Sequence, residues 1–390
     1  MTFTTRTTAA VLCAALAAAS VPATASAHPA RGRLLDVVPV STLDTNQLVD
    51  YLGDHALDAS RVRFAVDAKR ITYRTIDPSG RPTTASALVV LPHNATRTPR
   101  QAAWLHGTTG HRGSVSSVSE GTDRATAYFL ASAGYLTTAP DYLGLGTGPG
   151  THPYMDGPST ATASVDALRA TREYAARRGL RPDPRVMITG HSQGGHATMA
   201  LGQAIHRNAD PHLKIGALAP ISGPFKPSLL VPKALNDEIA NGVAYLAYWT
   251  VAWNRLHHLY DTPSEAFRDP KVEQLFDGDH RNEDIFRHLP ATMRELLTDT
   301  YYTRLQNPTG VLRAKLRESD SYCDWRPTGP VTLYSSAGDR DTLLETSAYC
   351  DQRLKHHDAR SKLIDLGADV SHGAAAKLAL PHVLTDFDRT

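Results

Sequence analysis

Cysteine is scarce in this chain. Its 390 residues hold three, Cys13, Cys323 and Cys350, which excludes a small fold stapled together by several disulfides. Charge of either sign is not in excess: 41 Lys and Arg stand against 39 Asp and Glu, a formal net charge of +2. A chain so near neutrality offers no electrostatic footprint for nucleic acid or an anionic membrane surface. Long apolar runs are missing too. The Ala/Val/Leu stretch over residues 9–19 is too short to cross a bilayer. There is no internal repeat and no low-complexity linker, so neither a solenoid nor a tethered-module architecture is indicated. Metal-site patterns are also absent. His257-His258 lacks structural zinc spacing, and Asp277-Gly278-Asp279-His280 lacks the twelve-residue calcium loop.

What is present begins with a targeting segment. Arg6 is the only charge before Arg31, the apolar run follows it, and Ala25-Ser26-Ala27 is an A-x-A site. Residues 1–27 read as a secretory signal peptide cleaved before His28, with the mature protein secreted and carrying no stable membrane anchor. Cys13 leaves with it. In an exported chain the remaining pair, Cys323 and Cys350, most simply forms one disulfide.

The chain is organised around Met187-Ile188-Thr189-Gly190-His191-Ser192-Gln193-Gly194-Gly195-His196. An apolar β-type run from Arg185 enters a turn of small residues and leaves in an alanine-rich helix, Gln193 to His206. Gly190-x-Ser192-x-Gly194 in that context is the pattern of a nucleophile elbow. A serine on so sharp a strand-to-helix turn needs flanking residues without a Cβ. In return its Oγ is exposed above a helix N-terminus, where the Gln193 N–H can face a developing oxyanion.

Strand and helix patterns alternate around this point. Arg70–Ile76 and Thr84–Leu91 read as a hairpin about Asp77-Pro78-Ser79-Gly80. Residues 28–60 before them read as a polar lead-in with one short helix, Thr45 to Leu52. Strands follow at Ala102–Leu105, Tyr135–Ala139, Ile215–Leu218, Val331–Ser335 and Lys362–Leu366, with helices between, one of them capped by Ser159. This rhythm predicts an α/β fold with a mostly parallel sheet covered on both faces. It breaks over a helical stretch between two strands. The expected organisation is therefore a core over residues 28–223, an inserted helical cap over 224–326 and the rest of the core over 327–390. Within the cap, Tyr245, Trp249 and Trp253 share one helical face that could pack the cap or line a pocket.

A serine needs a histidine to take its proton and a carboxylate to hold that histidine. In the strand-to-helix loops after the insertion, Asp339 and Asp341 stand in Ala337–Thr342 and His372 stands in the last loop. His372 is the expected base. Asp341, next to the start of the following helix, is preferred over Asp339 as the acid. The second oxyanion donor is expected from His106-Gly107-Thr108, through the N–H of Thr108 or, as the alternative, of Gly107. His191 and His196 read as packing residues. Asp141-Tyr142-Leu143-Gly144-Leu145-Gly146 reads either as a turn held by its glycines or as a loop whose Tyr142 or Asp141 shapes a substrate pocket, with Tyr142 and Trp249 the expected substrate-binding residues.

Taken together, Gly190–Gly195, His106–Thr108, Asp141–Gly146 with His152-Pro153-Tyr154, Asp324-Trp325-Arg326-Pro327, Asp341 and His372 resemble the α/β-hydrolase superfamily. Within it the chain is similar to the secreted lipase and esterase branch that includes the secretory lipases of fungi and their bacterial relatives. The resemblance runs from about residue 60 to the C-terminus. It implies a cap over the site and hydrolysis of carboxylic esters, lipid or small-molecule, without metal or organic cofactor. The cap residues do not match a lipase lid, so a preference for long acyl chains does not carry over. A peptidase or amidase on the same fold is the nearest alternative, although aminopeptidases of this kind carry an aromatic residue where Gln193 stands. An acyltransferase would use the same three side chains, and a binding scaffold would have no reason to keep them.

Overall fold

At the centre of the molecule lies β6 (Arg185–His191), whose Val186–Gly190 segment is wholly buried. Its neighbours β4 (Gln101–Leu105) and β7 (Lys214–Ile221) both pair with it in parallel. Because side chains alternate across a strand, Met187 joins the core on one face of the sheet while Val186 and Ile188 join the core on the other. A strand apolar on both faces is what a parallel sheet covered by helices requires.

The computed structural model describes Met1, Thr2, residues 30–93 and residues 95–390. Apart from those first two residues, the expected signal peptide lies outside the described residues. The other strands are β1 (Leu34–Leu43), β2 (Val66–Ile76), β3 (Pro82–Pro92), β5 (Leu136–Pro140), β8 (Val331–Ser335) and β9 (Ser361–Asp365). The nine strands form one sheet in the order β1-β2-β3-β5-β4-β6-β7-β8-β9. The β1-β2-β3-β5 edge is antiparallel, and pairing is parallel from β5 through β9.

Helices α1 (Thr45–Asp54), α2 (Thr122–Ser132) and α3 (Gly157–Ala176) precede the elbow, and α4 (Gln193–His206) leaves it. Asp44 caps α1 by accepting from the N–H groups of Asn46 and Gln47. α3 starts three residues earlier than its sequence suggests. Asp156 is the cap, accepting from the Ser159 N–H at 3.0 Å, and Pro158 occupies the first turn, where its missing N–H costs nothing.

Between β7 and β8 the chain leaves the sheet and is helical. It runs through α5 (Pro227–Leu235), α6 (Gly242–His257), α7 (Pro263–Ala266), α8 (Asn282–His288), α9 (Met293–Leu296), α10 (Asp299–Gln306) and α11 (Gly310–Asp320). This region has its own apolar cluster, including Trp253, Phe267, Leu296 and Tyr301. Tyr154 and Met155 from the core loop insert into that cluster. After β8 come α12 (Leu344–His356) and, beyond β9, α13 (His372–Asp388). α3, α4 and α12 cover one face of the sheet, and α1, α2 and α13 the other. No helix among the described residues is long and apolar enough to cross a membrane.

The polar lead-in expected over residues 28–60 contains a strand. β1 pairs antiparallel with β2 at the sheet edge. Most of its side chains are exposed or half-buried, so it shows no clean apolar alternation. It also carries Pro39, which only an edge strand tolerates. The expected disulfide is present: Cys323 and Cys350 are bonded with their Cα atoms 5.2 Å apart, tying the end of the helical excursion to α12.

Candidate active site

Ser192 sits between β6 and α4 with φ 59° and ψ −121°, a left-handed conformation costly for a residue with a Cβ. Its neighbours explain how the turn is held. A Cβ at Gly194 would overlap the Leu105 carbonyl, and one at Gly190 would overlap the Gly194 and Leu105 carbonyls. The Ser192 N–H donates to Ile221 O at 3.0 Å, locking the turn onto β7.

His372 begins α13, and its Nδ1–H donates to Oδ2 of Asp339 at 2.7 Å. This corrects the sequence expectation: the carboxylate on His372 belongs to Asp339, not Asp341. Asp339 is fully buried as a side chain. Its Oδ1 accepts from the N–H groups of Asp341 (2.8 Å) and Thr342 (3.0 Å), and the Thr342 hydroxyl lies 3.0 Å from Oδ2. Burial alone would raise this carboxyl. The His372 bond, followed by the two backbone N–H groups, outweighs it and holds Asp339 well below the usual carboxylate range. Asp341 points the other way, into the helical excursion. Its Oδ1 accepts from Asn241 Nδ2 at 2.7 Å and the Tyr245 hydroxyl at 2.9 Å. The physical reason is the turn itself: Asp339 folds back over the next two N–H groups and thereby faces inward.

The acid and histidine loops are stitched together. Ser336 Oγ donates to Val370 O at 2.7 Å, and a Cβ at Gly338 would overlap the Ala368 carbonyl. His191 adds a further tie, donating from Nε2 to the backbone carbonyl of His372 at 2.9 Å. Burial, with His372 close by, lowers His191 to about 3, so this ring is neutral and serves as a strut.

Gln193 and the His106–Thr108 loop are equally fixed. Gln193 opens α4, where a helix N–H has no intrahelical acceptor. Its side-chain amide donates to His152 Nε2 at 2.8 Å, while His152 Nδ1–H donates to Leu143 O at 3.0 Å. Burial and the neighbouring His106 lower His152 to about 3, which fits an acceptor nitrogen. His106 Nδ1 lies 2.7 Å from the Gly107 carbonyl. That carbonyl shares a planar trans peptide with the Thr108 N–H, so anchoring one end turns the other away from His106. Thr108 and Ser192 line the same cavities.

Known proteins similar to this chain are lipases and esterases. Residues 110–288 match the secretory lipase family. The rice cell wall degrading esterase LipA from Xanthomonas oryzae aligns with a TM-score of 0.77 and 26% identity, over 93% of this chain and 97% of that one. The chain is a carboxylic ester hydrolase, similar to the lipases and esterases of the α/β-hydrolase fold. A putative hydrolase from Legionella pneumophila shares the fold with a TM-score of 0.83 at 23% identity, covering 92% and 98% of the two chains. Candida antarctica lipase A shares it at 0.68 and 16% identity, covering 93% and 83%. Among curated proteins no sequence relative matches.

Of the pocket residues expected for this hydrolase, Trp249 lines a small cavity beside Ser192. Tyr142 does not. It is wholly buried with φ 66°, its ring 4.1 Å from that of His106 and its hydroxyl donating to His106 O at 3.2 Å. It supports the His106–Thr108 loop from behind. Asp141 is also internal, held by the hydroxyls of Ser86 (2.6 Å) and Ser117 (2.5 Å), with burial pushing its carboxyl up. The Asp141–Gly146 loop is thus a structural turn. Tyr245 was visible in the sequence only as part of an aromatic face; its contact with Asp341 depends on where the helical excursion lands. Asp339, Asp341 and His372 bring ligand-type atoms within 4.8 Å of one another. Asp339 is committed to His372 and Asp341 to Tyr245 and Asn241, an arrangement that hydrogen bonding accounts for.

Proposed function

We propose that the protein is a secreted serine esterase that works through an acyl-enzyme on Ser192. His372 takes the Ser192 proton as Oγ attacks the ester carbonyl, then passes it to the departing alcohol oxygen. Asp339 keeps Nδ1 protonated and stabilises the imidazolium. The N–H groups of Thr108 and Gln193 face the carbonyl oxygen as it becomes negative, each contributing on the order of 3 kcal/mol to the transition state. Water, activated by the same histidine, then releases the acid. The observation that carries this reading is the buried Asp339 carboxylate 2.7 Å from Nδ1 of His372, whose ring lines the same cavity as Ser192.

Residues 224–326 form the cap over this site in our reading. α6 supplies Ala244, Tyr245 and Tyr248 to the cavity wall, and α8 supplies Asn282. The disulfide and the N-terminal A-x-A segment support export. Hydrolysis of p-nitrophenyl acetate and butyrate by the purified protein and by Ser192→Ala tests the assignment. Activity abolished in the variant is the expected result, and activity retained would remove Ser192 from the mechanism.

A further inference from the structure

Ser192 opens onto two cavities of very different size. One, of about 630 Å³, is walled by Trp104, Tyr248, Ile285, His372 and Leu380. The other, of about 90 Å³, is walled almost wholly by apolar side chains, among them Val231, Ala234, Ile239, Leu246 and Trp249. Thr108, Ser192 and Tyr245 border both; His372 borders only the larger, and Gln193 only the smaller.

That asymmetry assigns the halves of the substrate, on the serine-esterase reading above. The leaving oxygen takes its proton from His372, so the alcohol must lie in the cavity that the imidazole lines. The carbonyl oxygen lies between the Thr108 and Gln193 N–H groups, so the acyl chain extends past Gln193. We infer that the small cavity is the acyl pocket, that it admits only short acyl chains, and that Tyr245, held by Asp341, is the wall that sets the limit.

An apolar cavity of about 150 Å³ accommodates one benzene ring. A 90 Å³ pocket therefore takes fewer heavy atoms than benzene has, roughly the tail of a butyryl group. A longer chain would have to displace Trp249 and Leu246, which are buried in the α6 packing. Toward the large cavity a longer chain would have to pass Tyr245, whose side chain lines both cavities. Its hydroxyl donates to Asp341 Oδ1 at 2.9 Å, and Asn241 donates to the same oxygen at 2.7 Å. A backbone bond from Ala240 N–H to Arg340 O at 2.9 Å fastens the same junction. Burial, and then the Asp341 carboxylate, push the phenol far above its ordinary range, so it remains a donor at any working pH. The ring is therefore pinned at its tip rather than free to swing aside.

The test is the acyl-chain profile of kcat/KM on p-nitrophenyl esters from acetate to palmitate, together with a naphthyl butyrate carrying a bulkier alcohol. The native protein is expected to favour acetate and butyrate and to lose about 100-fold or more by octanoate, while accepting the larger alcohol. Tyr245→Ala joins the cavities and raises the octanoate-to-butyrate ratio by about tenfold or more; Tyr245→Phe, which keeps the ring but loses the pin, raises it by less. Ala234→Phe narrows the pocket at its wall. It lowers butyrate relative to acetate by about tenfold, which provides a test even if the Tyr245 variants fold poorly. A native optimum at octanoate or beyond would overturn the inference. So would a Tyr245→Ala variant that loses all chain lengths by one common factor, or an Ala234→Phe variant with an unchanged butyrate-to-acetate ratio. Ester hydrolysis surviving in Ser192→Ala would instead strike the underlying esterase reading, so the two failures are separable.

Discussion

Asp339 and Asp341 stand two positions apart in one loop, yet their carboxylates face opposite ways. Asp339 accepts from the Asp341 and Thr342 N–H groups and meets His372, whereas Asp341 meets Asn241 and Tyr245. The sequence narrows the acid to these two, because both follow a strand in the right loop. It does not separate them, since the choice depends on which one caps the following turn. Asp339→Asn should lower kcat by on the order of 10⁴-fold, as loss of the histidine's tautomer and orientation does elsewhere. Asp341→Asn should lower it by less than about tenfold. Steady-state kinetics on p-nitrophenyl butyrate distinguishes them, and the reverse ranking would return the acid role to Asp341. His106 carries a separate prediction. By holding the Gly107 carbonyl it orients the Thr108 N–H, so His106→Ala should reduce kcat by roughly 10²-fold, the scale of one lost oxyanion donor. KM should change little, because substrate binding makes small use of that donor. A large rise in KM with kcat intact would show that His106 shapes the pocket instead.

Elements differed in how readable they were. The elbow was legible because it is local: a buried strand, a turn where carbonyls crowd Gly190 and Gly194, and an alanine-rich helix lie consecutively. The β2-β3 hairpin was legible for the same reason, through its Asp77–Gly80 turn. β1 was not, because an edge strand lying half in solvent has no alternation to display. The role of Tyr142 was misread because its side chain turns under the His106–Thr108 loop, a direction that no local pattern encodes. The disulfide acts at this scale as well. It closes a sequence separation of 27 residues between the end of the helical excursion and α12. Replacing both Cys323 and Cys350 by serine should destabilise the fold by about 3–4 kcal/mol, on the chain-entropy estimate for a loop of that length. Denaturant midpoints of the double variant and the native protein measure it, and an unchanged midpoint would mean the bridge is incidental.

For the molecule as a whole, buried histidines set the response to acid. Burial lowers His191 to about 3, His152 to about 3, with the nearby His106 adding to it, and His196 to about 4. In the unfolded chain each titrates at an ordinary value of about 6.5. Between those values the unfolded state binds more protons than the native state, so stability rises with pH there. The contribution is complete above about pH 6.5 and is lost progressively as pH falls toward 3–4. Asp339 adds the same sign at lower pH, its depressed carboxyl losing its contribution only as pH falls below the usual carboxylate range. The melting temperature should therefore hold near neutrality and decline steadily below about pH 6. A flat profile down to pH 4 would contradict these assignments.

The central claim is that Ser192 carries the acyl group. Its most direct test is to quench the purified protein during turnover of p-nitrophenyl butyrate and map the modified peptide by mass spectrometry. The account predicts a butyryl group on Ser192, accumulating in the native protein and absent from Ser192→Ala. A butyryl group on another residue, or turnover without any covalent adduct on a timescale where release is rate-limiting, would contradict it.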